Sequence, residues 1–114
     1  SRLAIKMLLE EEYSVRGYSE GDSLKNELEN IVKNGPGNIK AILTDNQMPG
    51  HDGSELIAEY ANKENMPPII LLYGGHSGIG EEAREDGAYA YLIKPTDSLK
   101  LKNTIAEAIE KYSK

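Results

Sequence analysis

The chain has 114 residues, 39% of them hydrophobic and 28% charged, with a formal net charge of -6. This length points to one compact domain and this balance to an ordinary soluble globular protein. Cysteine is absent, which excludes disulfides, zinc thiolates and cysteine nucleophiles, and an acidic chain without a Lys/Arg stripe is a poor nucleic-acid binder.

No apolar run approaches the roughly 18–20 residues of a membrane span, and no secretory signal pattern opens the chain. A cytoplasmic location without membrane contact is therefore expected. Trp and Phe are absent and Tyr supplies all the aromatic content. The core is expected to be mostly Ile, Leu, Val, Met and Ala.

Residues 2–12 place Leu3, Ala4, Met7 and Leu8 on one helical face, with acids at the end. Residues 13–18 partly alternate and suit a short strand. Asp22 or Ser23 can cap a second helix, SLKNELENIVKN, with Leu24, Leu28, Ile31 and Val32 inward and Gly35 as its stop. Residues 39–44, IKAILT, suit a strand buried on both faces. Residues 45–53, DNQMPGHDG, form a loop, and Ser54 to Lys63 a third helix with Leu56, Ile57, Tyr60 and Ala61 inward.

Pro67 and Pro68 break the chain before IILLY, the most apolar strand. A glycine loop follows, then a short helix EEARED ended by Gly87. Residues 89–93 make another strand, with Tyr89 and Tyr91 expected on one face. Lys94 to Asp97 is a turn. The last helix, 98–112, carries Leu101, Ile105, Ala108, Ile109 and Tyr112 on one stripe.

Alternating helices and strands with short connections predict an α/β fold, a doubly wound parallel sheet with helices on both faces. Ligands in such sheets bind at the C-terminal strand ends. Asp45 and Lys94 each follow a strand, so an acid and a base should converge on one crevice there. A solvated ion pair or turn residues are the plainer alternative.

These residues carry a resemblance. Asp45-Asn46-Gln47-Met48-Pro49-Gly50-His51-Asp52-Gly53 is similar to the D-x-x-M-P-x-x-D-G motif of response-regulator receiver domains. Gly87-Ala88-Tyr89-Ala90-Tyr91-Leu92-Ile93-Lys94-Pro95 is similar to their G-A-x-x-Y-L-x-K-P segment. Both stand in the family's order, and the resemblance runs from residue 2 to the end of the chain. RLAIKMLLEEEYSVRGYSEG most resembles receivers of hybrid sensor kinases.

The resemblance implies a flavodoxin-like receiver fold and a role in two-component phosphorelay. Asp45 would accept a phosphoryl group from a histidine kinase or phosphotransfer protein. Magnesium would be held by Asp45 and the Gln47 backbone carbonyl, and Lys94 would pair with a phosphoryl oxygen. Pro49, Gly53 and Pro95 would shape the site, Pro95 through a cis bond typical of the family. Tyr91 matches the switch aromatic. The output would go through the family's fourth helix, fifth strand and fifth helix to an output domain or downstream protein. Catalysis would be at most self-catalysed phosphoryl transfer.

Two departures stand out. The chain opens inside the family's first helix, so the first strand and its pair of metal-holding acids are absent from residues 1–114. A longer natural chain, a degenerate receiver, and a strand from another chain all account for this, and magnesium binding would be weakened or lost if the acids are truly missing. A sheet without its central strand should leave unpaired edges and exposed apolar helix faces, which favours a longer chain. Second, the family places Thr or Ser where this chain has Tyr73, a switch position. Tyr is too long to make the same contact, and Ser77 is a candidate replacement. A pseudo-receiver working only through protein contacts is the competing function.

Tyr73-Gly74-Gly75-His76-Ser77-Gly78-Ile79-Gly80 also approaches a dinucleotide fingerprint, with Asp97 at the spacing of a ribose-binding acid. That fingerprint belongs to the first strand of a much longer chain, and Ala90 stands where a Tyr-x-x-x-Lys pair with Lys94 would need tyrosine. A flavin-binding flavodoxin shares the topology, but this chain lacks its Ser/Thr-rich phosphate loop. His51 and His76 read as exposed loop residues and a poor zinc site. Asp52 reads as a turn former.

Overall fold

The computed structural model describes residues 14–76 and 78–112. The helix expected over 2–12 lies outside the described residues. Within them, helix and strand alternate as the sequence predicts. Strands are β1 (Val15–Tyr18), β2 (Ala41–Asp45), β3 (Ile69–Tyr73) and β4 (Ala90–Ile93), and helices are α1 (Gly21–Asn34), α2 (Gly53–Tyr60), α3 (Ile79–Glu85) and α4 (Ser98–Tyr112).

The four strands form one parallel sheet in the order β1-β2-β3-β4. Strands β2 and β3 are buried along their whole length, as strands of a parallel sheet covered on both faces should be. Parallel connections turn right-handed, so sequential strand order sends successive crossovers to the same face. The packing agrees. Leu24, Leu28 and Ile31 of α1, Leu56, Ile57 and Tyr60 of α2 and Ala83 of α3 share one core with Ile42, Ile69 and Leu71. Leu101, Ile105 and Ala108 of α4 pack on the opposite face, against Val15, Ala41, Leu43, Ile70, Leu72 and Leu92. Burying a side chain such as Leu28 or Ile57 contributes about 1.5–3 kcal/mol.

The expected gap in the sheet is not seen among the described residues. Strand β1 pairs directly with β2, from Val15 opposite Ala41 to Tyr18 opposite Thr44. The backbone of β2 thus has a partner on both sides, and β1 and β4 are the edges.

Several local expectations are corrected. Helix α1 starts at Gly21, so Asp22 lies in its first turn and Glu20 holds the cap position without a side-chain capping bond. The Gly21 N–H instead donates to the Pro49 carbonyl at 2.9 Å, and any Cβ at Gly21 would strike the His51 backbone. Val32 is exposed, because the helix turns its buried stripe through Leu24, Leu28 and Ile31. Tyr112 is also exposed. Tyr89 packs with the α4 core while Tyr91 packs with the other. Tyr89 precedes the regular strand, so the two-residue alternation does not reach it. Tyrosine joins the core too, through Tyr60 and Tyr73.

Candidate functional site

Asp45 is the last residue of β2 and is only 6% exposed. Lys94 follows β4 immediately, and its N–H donates to the Tyr73 carbonyl at 2.7 Å. The Asn46 N–H donates to the Leu72 carbonyl at 2.9 Å. Backbone hydrogen bonding thus continues past the strand ends and brings both side chains to one mouth. The Lys94 Nζ stands 3.5 Å from Asp45 Oδ1. The lysine is half-exposed, so an anion arriving from solvent can engage it.

The loop carrying Gln47 and Pro49 is pinned from both ends. Asn46, which the sequence reading passed over, is buried. Its side-chain oxygen accepts from the Ser54 N–H at 3.0 Å, and its carbonyl accepts from the Gly53 N–H at 2.8 Å. An Asn directly after a buried strand is the available signal, since its amide side chain can bond nearby backbone. Gly53 is required by space: a Cβ there would lie 2.4 Å from the Asp45 carbonyl oxygen and 3.0 Å from Leu71 Cδ1. Asp52 does more than shape a turn, because it caps α2, with Glu55 accepting from its N–H at 2.9 Å in a capping box. His51 is half-buried and stands 3.5 Å from Asp22.

A cavity of about 330 Å³ is lined by Asn46, Gln47, Tyr73, His76 and Lys94, and the Lys94 ammonium joins it to Asp45 at 3.5 Å. Tyr73 is buried, its ring 5.7 Å from Tyr91 edge-to-face and 6.0 Å from the His76 imidazole. The Tyr91 hydroxyl donates to Glu81 at 2.9 Å. That bond, then burial and the Glu81 charge, hold the Tyr91 phenol above its ordinary pKa. The Lys94–Pro95 peptide is cis. Ser77 lies outside the described residues. Asp97 accepts from the Lys100 N–H at 2.7 Å and so holds the first turn of α4.

The glycines of the 74–80 loop have local work. Gly75 and Gly78 have positive φ of 88° and 67°, conformations that favour glycine. At Gly80 the Tyr91 ring lies against the backbone, 2.4 Å from where a Cβ would be.

The family model of the response regulator receiver domain matches residues 1–106. The chain belongs to the response-regulator receiver domains. It is 30% identical over 107 residues to the transcriptional regulatory protein PdtaR of Mycobacterium tuberculosis, covering 94% of this chain and 50% of that protein. It is 30% identical over 114 residues to the sensory transduction protein LytT of Bacillus anthracis, covering 100% of this chain and 43% of that protein. The receiver thus spans about half the length of the curated relatives it matches. Its structure is similar to the beryllofluoride-activated NtrC4 receiver domain, with a TM-score of 0.72 and 25% identity, covering 96% of this chain and 88% of that one. It also shares its fold with a response regulator receiver domain protein from Clostridium thermocellum, with a TM-score of 0.65 and 23% identity, covering 87% and 94% of the two chains.

Receivers are modules of two-component signalling, exchanging signals with kinases and output domains. As a class they hold magnesium at the acidic site. In this receiver no group of three His, Asp or Glu side chains that could hold a metal occurs among the described residues. The Asp45 carboxylate and the Gln47 carbonyl would supply two oxygens to a magnesium ion, which usually keeps several waters to complete its six-fold set. No helix among the described residues is long and apolar enough to cross a membrane.

Proposed function

We propose that this receiver is the phosphoacceptor of a two-component phosphorelay, with Asp45 as the acceptor. The observation that carries the reading is the Asp45–Lys94 pair at 3.5 Å, set at the C-terminal strand ends beside an open cavity. An Asp45 oxygen attacks the phosphorus of a phosphohistidine on the kinase or phosphotransfer protein. The P–N bond breaks, its electron pair stays on the imidazole nitrogen, and an acyl phosphate forms. Lys94 meets the charge on the phosphoryl oxygens as a point cation. Among the described residues Lys94 is the side-chain ammonium that lines the cavity.

The phosphorylated state then biases the face formed by α3, β4 and α4 toward an output domain or downstream protein. Cytoplasmic action goes with this reading. Pro49, Gly53 and Pro95 fix the loops around the acceptor, and Tyr73 and Tyr91 link it to α3.

Tyr73 supports the second reading, a pseudo-receiver that signals only by protein contacts. Its buried ring occupies the strand end where the family carries a hydroxyl. Incubation with acetyl phosphate and magnesium, followed by intact mass measurement, separates the two. The phosphoacceptor reading expects a gain of one phosphoryl group that Asp45→Ala abolishes. No gain in the wild-type chain, or a gain that survives Asp45→Ala, refutes it.

A further inference from the structure

Tyr73 leaves the phosphoryl pocket without the small hydroxyl at its strand end. The wall on that side is made instead by His76. A Cβ on Gly74 would lie 3.5 Å from the His76 Nδ1, so the imidazole folds back over Gly74 toward the end of β3. The Tyr73 ring, 6.0 Å away and tilted by 57°, backs the imidazole from inside. Lys94 enters the same cavity from the end of β4. Two nitrogen groups, an ammonium and an imidazole, thus line one cavity, and the ammonium stands 3.5 Å from the Asp45 carboxylate.

We propose that His76 is a second phosphoryl-binding group of this pocket, donating an N–H to a phosphoryl oxygen on Asp45 in place of the strand-end hydroxyl. The proposal rests on Asp45 being the acceptor. A neutral imidazole always carries one N–H and a protonated one carries two, so His76 can donate in either form. The acceptor is a charged oxygen, which makes the bond a strong one. The cavity measures about 330 Å³, far above the roughly 10–15 Å³ that a single water needs. That is room for a phosphoryl group with its remaining hydration.

Three variants of the full chain test this with acetyl phosphate and magnesium, following the rate of acyl phosphate formation by intact mass. His76→Ala removes ring and donor. His76→Phe keeps a ring against Tyr73 but has no donor. His76→Gln keeps an N–H donor. His76→Ala and His76→Phe should each slow phosphorylation roughly ten-fold, and His76→Gln should stay within about three-fold of wild type. Unchanged rates in all three variants overturn the inference while leaving Asp45 as acceptor. Retention in His76→Phe with loss in His76→Ala also overturns it, because packing would then be the cause. A wild-type chain that takes no phosphoryl group overturns both readings together. His76 is exposed, so none of the substitutions disturbs the core.

Discussion

Gly80→Ala should destabilise this receiver, although alanine is the better helix former. The added Cβ would lie 2.4 Å from Tyr91 Cδ2, 2.5 Å from Cγ and 2.7 Å from Cε2. Ordinary carbon contacts begin near 3.5 Å, so the ring must retreat by about 1 Å. It is held on two sides, by its bond to Glu81 at 2.9 Å and by the Tyr73 ring at 5.7 Å. Overpacking of this kind costs about 1–3 kcal/mol. The helix-propensity gain of Gly→Ala offsets at most about 1 kcal/mol. The net expectation is a loss of about 1–2 kcal/mol. In urea unfolding followed by far-ultraviolet circular dichroism, the midpoint should fall by roughly 1 M. In a Tyr91→Ala background the clash is gone, and the same substitution should be neutral or stabilising by up to about 1 kcal/mol, a coupling of about 1–3 kcal/mol. Equal effects in both backgrounds would refute the argument.

Gly53→Ala should cost about 3 kcal/mol by thermal or urea unfolding, because the obstacle is the Asp45 carbonyl oxygen, a backbone atom that cannot swing aside. Lys94→Ala should slow phosphorylation of Asp45 by about 10–100-fold, the lower end reflecting a half-exposed cation, and Lys94→Arg should restore only part of it; unchanged kinetics would remove Lys94 from the site. The Tyr60 phenol donates to Glu29 at 3.0 Å, and burial, then the Glu29 bond, push its pKa from 10.0 to about 12. The folded chain therefore keeps a proton that the unfolded chain loses. The contribution of Tyr60 to stability is complete below pH 10 and is lost as pH rises to about 12. Ultraviolet titration should show a late tyrosinate transition that disappears in Tyr60→Phe.

The order and type of the described elements were legible because each carries its own period: Leu24, Leu28 and Ile31 on a helix face, a short apolar stretch Ala41–Leu43 in β2 and an unbroken apolar run in β3. The acceptor candidates were legible for a different reason. Asp45 and Lys94 end strands, and the C-terminal ends of parallel strands share one edge of the sheet. What failed was information that passes between elements. Nothing local to α1 says that Gly21 docks on Pro49, so the helix start was misplaced. Tyr89 and Tyr91 read as one face because two-residue alternation was extended beyond the regular strand. Asn46 was missed because a loop residue's role depends on what the neighbouring segment brings to it, here the Ser54 N–H.

Two tyrosines connect the cavity beside Lys94 to helix α3. Tyr73 walls the cavity and touches Tyr91; Tyr91 lies across Gly80 and bonds Glu81, both in the first turn of α3. These are single contacts in series, with no slack at Gly80. A Tyr73 ring displaced toward Tyr91 must push it either into the α3 backbone or out of its bond to Glu81. Packed interiors respond to such displacement by switching between discrete arrangements rather than by deforming smoothly. The large residue at Tyr73 therefore need not disconnect pocket from surface, since ring contact replaces what a small hydroxyl does by moving. Within the phosphoacceptor reading, Tyr73→Thr should lengthen the route rather than restore it, because a threonine there leaves the space between pocket and Tyr91 empty. Phosphorylation of Tyr73→Thr should proceed, yet amide shifts in α3 on phosphorylation should shrink relative to wild type. Larger shifts in that variant would show that the aromatic pair obstructs the signal.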